Sequence, residues 1–363
     1  MESNFINNGV FITICIFTLH NPLASHVFAA LQDAKATSTF TPVLYIFGDS
    51  IVDSGNNNYL FTIAKSNYLP YGKDFDTHKP TGRFSNGRLV PDFLASYMGV
   101  PFPSPYLAPD TDIHQGANFG SAGSGYLTST GEAMGILSFP KQVQNFQAMK
   151  QRLQQSMGEA SANDFISHSI MYISMAHNDI ANNYYASGSP FRRQNMTIDQ
   201  FENMLIDEVS KYIQVLYNEG ARKFVFESLL PLGCAPAFSK ASSTCVDYLV
   251  EAAMKYNSLL QMLLEKQSTT FTNAHFILAN GFDLINAIAH DPVGYGFVGI
   301  SQACCGQRGF CESGSPTCQN ASTYVFWDAF HPTSKIYSML ASRYWGGKTS
   351  EISPINISQL VAL

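Results

Sequence analysis

Short apolar runs recur along the chain, separated by stretches long enough to form helices. Residues 43–48 (VLYIFG) are apolar throughout, which is typical of a strand that is buried on both faces of a sheet. Similar runs lie at 168–174, 222–229 and 274–280, and a weaker one lies at 115–119. The pattern therefore predicts five strands.

Amphipathic helices are predicted between these runs. A helix is expected behind Pro140, which suits a first helical turn, because apolar side chains recur there at spacings of three and four residues. They are Val143, Phe146, Met149, Leu153 and Met157. Thr197 and Gln200 form a capping-box signature for another helix, and Gly220 is placed to end it.

Two further helices complete the pattern, one capped by Asp247 and one by Thr333. Strands that alternate with helices along the chain predict a parallel sheet with helices on both faces. No linker or repeat interrupts the alternation, so we expect residues 31–363 to form a single domain. Residues 53–87 show no periodicity, and so long a loop in a compact domain is usually functional.

The first thirty residues resemble a secretory signal. Residues 11–19 (FITICIFTL) are apolar but too few to span a bilayer, and small residues follow them. No Lys or Arg precedes this stretch, so a buried N-terminal strand or helix is the alternative. We expect residues 1–30 to be cleaved and the protein to be secreted and extracellular. No later apolar run approaches 18 residues, which argues against integral membrane association.

Composition and charge narrow the class of function. The chain has 21 Lys and Arg against 27 Asp and Glu, a net charge of −6, and only 13% of its residues are charged. These values argue against a nucleic-acid-binding protein and against a charge-driven disordered tail.

Six cysteines remain after removal of the signal, an even number that suits disulfides in an oxidising compartment. Cys234 and Cys245 make the simplest local loop. The other four form a C-terminal cluster: Cys304, Cys305, Cys311 and Cys318. Zinc binding is the alternative, but no C-x-x-C pair occurs. Acceptor sequences for N-glycosylation lie at Asn195, Asn320 and Asn356.

Candidate catalytic residues follow the predicted strands, where ligands bind in open α/β sheets. Ser50 lies in a Gly-Asp-Ser turn after the first run, and Asp328 and His331 lie three residues apart near the C-terminus. A serine nucleophile needs a base to take its proton, and the base needs a group that fixes its tautomer. The sequence therefore predicts Ser50 as nucleophile, His331 as base and Asp328 as the partner of His331.

The oxygen that becomes negative during such an attack needs hydrogen-bond donors. The candidates are the backbone N–H groups of Ser50 and Gly123 and the side-chain amide of Asn178. Glycine lets the backbone approach a ligand closely, and a side-chain amide adds a neutral donor.

Five blocks in this order resemble those of the plant GDSL esterase/lipase family within the SGNH hydrolases. They are GDSIVDSGNNN (48–58), GANFGSAGSG (116–125), HND (177–179), PLGCAP (231–236) and WDAFHP (327–332). The resemblance implies a flavodoxin-like three-layer α/β/α fold with a central five-stranded parallel sheet. It also implies secretion, ester hydrolysis by the Ser50, His331 and Asp328 set, an oxyanion hole of Ser50, Gly123 and Asn178, and no metal or organic cofactor.

One departure from the family pattern lies just before Asn178. The family usually has Gly and then a small residue, whereas this chain has Ala176 and His177. We interpret His177 as a loop side chain that points away from the site, in preference to a substrate contact. The predicted function is a secreted serine esterase or lipase acting on a small-molecule, lipid or polysaccharide ester. The alternatives are an acyltransferase on the same scaffold and a non-catalytic secreted binding or defence protein.

Overall fold

The central sheet has six strands among the residues that the computed structural model describes, 41–239, 244–306 and 309–363. They are β1 (Leu44–Gly48), β2 (Ala117–Asn118), β3 (Ile170–Ser174), β4 (Lys223–Glu227), β5 (His275–Ala279) and β6 (Ile352–Ser353). Their order across the sheet is β2-β1-β3-β4-β5-β6. The first five are parallel, in the order of flavodoxin-like folds, so the predicted α/β architecture is confirmed.

The sheet is nevertheless not the five-stranded parallel one that was predicted. A sixth strand, β6, pairs antiparallel with β5, placing Ile352 opposite Ala279 and Ser353 opposite Leu278. Two residues are too few to show a period of two, so this strand depends on its pairing with β5 and has no sequence signal of its own.

Helices cover both faces of the sheet. In chain order they are α1 (Val90–Met98), α2 (Phe139–Met157), α3 (Glu159–His168), α4 (Pro190–Arg193), α5 (Ile198–Asn218), α6 (Pro236–Ser239), α7 (Asp247–Thr270), α8 (Phe282–His290), α9 (Ser334–Gly346) and α10 (Ile357–Val361). On β1, Tyr45 and Phe47 belong to the core under α2, α3, α5 and α7. The alternate residues Leu44 and Ile46 belong to the core under α1, α8, α9 and α10, so two apolar cores flank the sheet.

Local signals define some helix ends and not others. At the start of α5, Thr197 Oγ1 accepts from the Gln200 N–H at 3.2 Å, and Gln200 Oε1 accepts from the Thr197 N–H at 2.9 Å, as the capping box predicts. The cap predicted at Asp247 is wrong by one residue, because Val246 is the N-cap and Asp247 begins α7. Thr333 is the N-cap residue of α9, as predicted, but its side chain makes no capping hydrogen bond and its hydroxyl donates to the carbonyl of Tyr324.

Disulfides join Cys234 with Cys245, Cys304 with Cys318, and Cys305 with Cys311. The first is the local loop expected from the sequence. In the second and third, the backbone N–H groups of Cys304 and Cys305 also donate to the carbonyls of Phe326 (3.0 Å) and Trp327 (2.7 Å). The C-terminal cluster therefore braces the segment that leads to Asp328.

The N-terminal prediction lies outside the described residues, since the structure describes nothing before residue 41. Within the described part of the chain, no helix is long and apolar enough to cross a membrane. Of the predicted glycosylation sites, Asn195 and Asn320 are exposed. Asn356 is half-buried, and its Oδ1 caps α10 by accepting from the Gln359 N–H at 3.0 Å.

Candidate active site

Ser50 lies in a tight turn directly after β1. Gly48 ends the strand so close to β3 that a Cβ there would lie 2.2 Å from the carbonyl oxygen of Ser174. Asp49 Oδ1 accepts from the N–H of Ile51 at 2.9 Å, which closes the turn. The half-buried Ser50 is thereby placed at the carboxyl edge of the sheet.

The structure brings the three predicted catalytic residues together. Nε2 of His331 lies 2.8 Å from Oγ of Ser50, across 281 positions of sequence. Nδ1 of the same ring lies 2.9 Å from both carboxylate oxygens of Asp328. A proton on Nδ1, held by Asp328, leaves the Nε2 lone pair facing the serine hydroxyl.

Asp328 is fully buried and is held by further donors. The backbone N–H groups of Phe330 and His331 donate to its Oδ1 at 2.8 Å, and the Tyr71 hydroxyl donates to its Oδ2 at 2.6 Å. Burial, together with the Asp328 charge, raises the pKa of Tyr71 well above its usual range, so the hydroxyl remains a donor. Sequence reasoning missed Tyr71, and its place in the long loop 53–87 was the only signal for it.

The predicted oxyanion donors line the same cavity as Ser50. Gly123 has a φ of 91°, and a Cβ there would lie 2.5 Å from Cε of Met134. Asn178 Nδ2 donates to the carbonyl of Ser124 at 2.9 Å, and its Oδ1 accepts from Asn182 Nδ2 at 2.7 Å. These two bonds fix the orientation of the Asn178 amide and leave its second N–H for another acceptor.

Two buried aspartates shape the loop after β2. Asp53 Oδ2 accepts from the N–H of Ala122 at 3.0 Å. Asp179 accepts from the N–H of Tyr126 at 2.8 Å and from the Thr130 hydroxyl at 2.6 Å. Burial raises the pKa of both carboxyls to about 6, although the hydrogen bonds act in the opposite direction. Both aspartates lie inside the sequence blocks at 48–58 and 177–179, but their type and spacing alone predicted no role for them.

Gln142 links α2 to the end of β1. Its Oε1 accepts from the N–H of Gly48 and its Nε2 donates to the Gly48 carbonyl, both at 2.9 Å. The same Nε2 lies 3.2 Å from Oγ of Ser124. The buried side-chain amide of Gln142 therefore contacts both the end of β1 and the loop after β2. Nothing in the sequence distinguishes Gln142 from other polar positions of α2.

The prediction that His177 points away from the site is wrong. Its Nδ1 lies 3.3 Å from Oδ2 of Asp49, and its Nε2 accepts from the Leu230 N–H at 3.4 Å. The side chain lines the cavity beside Asn178. Ala176 has a φ of 87°, so the chain bends here and His177 does not follow the alternation of the strand.

The cavity in front of Ser50 has a volume of about 550 Å³ and a mostly apolar lining, with a few polar side chains. Aromatic rings from the loop before α1 and from the C-terminal segments surround His331: Phe84, Phe310 and Phe330. Polar lining side chains lie on the loop after β2 and the turn after β3: Ser129, Glu132, Asn178 and Asn182.

The amino-acid sequence of the chain is similar to those of known proteins. A family model described as GDSL-like Lipase/Acylhydrolase matches residues 44–344, which include Ser50, Asp328 and His331. One GDSL esterase/lipase of Arabidopsis thaliana is 35% identical over 94% of this chain and 93% of its own length. A second is 34% identical over 99% of each chain, and a third is 38% identical over 88% of this chain and 92% of its own length.

Proposed function

The chain belongs to the GDSL-like lipase/acylhydrolase family, and we propose that it hydrolyses carboxylic esters through an acyl-enzyme formed on Ser50. One observation carries the proposal. Ser50 Oγ lies 2.8 Å from Nε2 of His331, whose other nitrogen faces the buried carboxylate of Asp328.

The reaction follows from this arrangement in two halves. Ser50 Oγ bonds to the ester carbonyl carbon while His331 Nε2 takes the hydroxyl proton. His331 then gives that proton to the alcohol oxygen as the ester C–O bond breaks, which leaves the acyl group on Ser50. Water repeats the attack, with its proton passing through His331 to Ser50 Oγ, and the carboxylic acid leaves.

Asp328 and the oxyanion donors act on the charges that appear during each attack. The Asp328 carboxylate keeps the Nδ1 tautomer and stabilises the imidazolium. The N–H groups of Ser50 and Gly123 and the free N–H of Asn178 are proposed to donate to the oxyanion. Removing one such donor typically lowers kcat by about 10²–10³, so Asn178→Ala is expected to show a loss of this size.

A fluorophosphonate probe tests the nucleophile, because it forms a covalent bond only with an activated serine. We expect one probe per chain, attached to Ser50, and loss of labelling in Ser50→Ala. Ser129→Ala is the matched control, since Ser129 lines the same cavity and its Oγ accepts from Asn183 rather than contacting His331. This control should keep the label.

Ser50→Ala, Ser129→Ala and two further variants, His331→Ala and the Ser50/His331 double variant, are then assayed on butyrate esters. His331→Ala and Ser50→Ala should each lower kcat by several orders of magnitude, and the double variant should be scarcely worse, because the two residues act as a unit. A folded wild-type protein that takes no label at Ser50 would contradict the proposal and favour a non-catalytic binding protein.

We also propose that the protein is secreted after loss of residues 1–30. Three disulfides support this, because disulfides persist in oxidising compartments. Mass mapping of the protein from its native compartment should give an N-terminus near residue 31 and glycans on the three acceptor sites: Asn195, Asn320 and Asn356. An intact Met1 with unmodified asparagines would contradict it.

A further inference from the structure

Three phenylalanine rings surround the imidazole of His331 on the side of the cavity. The ring centres of Phe84, Phe310 and Phe330 lie 4.9, 6.0 and 6.2 Å from that of His331. The rings also contact one another, at 5.9 Å between Phe84 and Phe310 and at 5.3 Å between Phe310 and Phe330. Phe310 is 50% exposed, so part of this apolar wall is open to a ligand.

Proton transfer determines which half of an ester meets this wall. His331 Nε2 must protonate the alcohol oxygen, so that oxygen comes within about 3 Å of Nε2. The oxyanion lies instead toward the donors on the other elements, Gly123 and Asn178. The carbon attached to the alcohol oxygen therefore extends into the part of the cavity walled by the three rings.

We propose that Phe310 and Phe330, with the buried Phe84 packed against Phe310, bind the alcohol half of the substrate and that this alcohol is aromatic. The inference rests on the proposed ester hydrolysis at Ser50. Aromatic rings pair at centre distances of about 4.5–7 Å, a range that these rings already show with one another. Their side chains offer no hydrogen-bonding groups, so a polyol placed there would lose hydrogen bonds to water.

The polar lining residues lie on other elements of the chain than the three rings. Glu132 lies on the loop after β2, and Asn182 lies in the turn after β3, on the elements that carry the proposed oxyanion donors. A hydroxyl-rich alcohol in contact with the three rings would therefore find no hydrogen-bonding partner among their side chains.

Three esters with one acyl group test the inference: benzyl butyrate, glycerol 1-monobutyrate and cyclohexylmethyl butyrate, whose saturated ring matches the benzyl ester in size but is not aromatic. We expect kcat/KM to be about 10–100-fold higher for the benzyl ester than for the glycerol ester, the discrimination typical of an apolar pocket. Phe310→Leu and Phe330→Leu should each lower this ratio severalfold or more, mainly by reducing kcat/KM for the benzyl ester. Met134→Leu is the matched control, because Met134 lines the same cavity from the loop after β2, which carries none of the three rings. It should preserve the ratio.

The outcomes separate the inference from the function on which it rests. Benzyl butyrate values of kcat/KM no higher than those of the glycerol or the cyclohexylmethyl ester would overturn the aromatic-alcohol proposal while leaving ester hydrolysis in place. A benzyl-to-glycerol ratio that is unchanged in both phenylalanine variants would also overturn it. A uniform loss on all three esters would show that the rings shield His331 and would overturn it as well. Absence of hydrolysis together with absence of a label on Ser50 would instead contradict the proposed function. Phe310→Leu is the variant expected to disturb folding least, because half of the Phe310 side chain is already exposed to solvent.

Discussion

Ala176 holds a backbone conformation that suits glycine better than alanine. It is buried, and its φ is 87°, in the region where a Cβ clashes with neighbouring backbone atoms. We expect Ala176→Gly to change the free energy of unfolding by less than about 0.5 kcal/mol. Relief of about 1–2 kcal/mol of strain offsets the lost methyl burial and the added entropy of the unfolded chain.

Ala235→Gly is the matched control. Ala235 is also buried but has a φ of −65°, so its replacement relieves no strain and should cost about 1–2 kcal/mol. Urea unfolding of the disulfide-bonded protein measures both variants. An equal loss in the two would mean that the backbone at Ala176 is not strained.

The residues brought together at the site differ in how far the sequence predicts them. Ser50 and His331 lie in short motifs beside predicted elements, Ser50 directly after β1 and His331 just before α9, so the sequence offered both as candidates. Tyr71 and Gln142 lie 257 and 94 positions from the groups they bind, Asp328 and Gly48. A single side-chain hydrogen bond over such a distance leaves no periodicity in the sequence.

Among the elements, the loop 53–87 is attached to α1 by a buried ion pair. Arg83 Nε and Nη2 donate to the two carboxylate oxygens of Asp92 at 2.8 and 2.7 Å. Both side chains are buried, and Asp92 also accepts from the Leu89 N–H at the start of the helix. The position of the loop 53–87, which contains Tyr71, is thus held in part by the carboxylate of Asp92 in α1.

Replacing one partner of this pair should be costly. Arg83→Met leaves Asp92 buried without its counter-ion and should lower the free energy of unfolding by about 3–5 kcal/mol. Adding Asp92→Asn should recover part of that loss, because the uncompensated charge is then removed. Arg88→Met is the control, since its partner Asp76 and Arg88 itself are partly exposed, and such pairs contribute about 0–1 kcal/mol. Equal losses for the two arginines would contradict this account.

Longer elements were more predictable than short ones for a physical reason. The strands β1, β3, β4 and β5 each have five residues and lie within the predicted apolar runs. The two residues of β6 become a strand only by pairing with β5, a contact between segments more than 70 positions apart in the sequence. Both cap positions were predictable at Thr197 and Thr333, but only at Thr197 does the side chain make the capping hydrogen bond; the Thr333 hydroxyl is turned toward the carbonyl of Tyr324.

Four buried carboxyl groups make the stability of the whole molecule depend on pH. Burial raises the pKa of Asp53 and Asp179 to about 6 and that of Glu202 to about 7, and it also raises the pKa of Glu227. In unfolded chains such groups titrate near pH 4. Between pH 4 and the folded values, the folded chain therefore binds more protons than the unfolded chain. Its free energy of unfolding falls as the pH rises through this window and becomes level above it.

Urea unfolding between pH 4.5 and 7.5 should show this loss, with the two aspartates each contributing on the order of 2–3 kcal/mol. Glu202→Gln should make the decline shallower, because it removes a titrating group whose carboxylate oxygens have no hydrogen-bond partner among the described residues. Glu251→Gln, on the exposed side of α7, should leave the decline unchanged. A free energy of unfolding that rises from pH 5 to pH 7 would contradict the prediction, because it would mean that folding does not raise the pKa values of these carboxyls. A decline instead means that the fold is most stable in mildly acidic solution, where the buried carboxyls keep their protons.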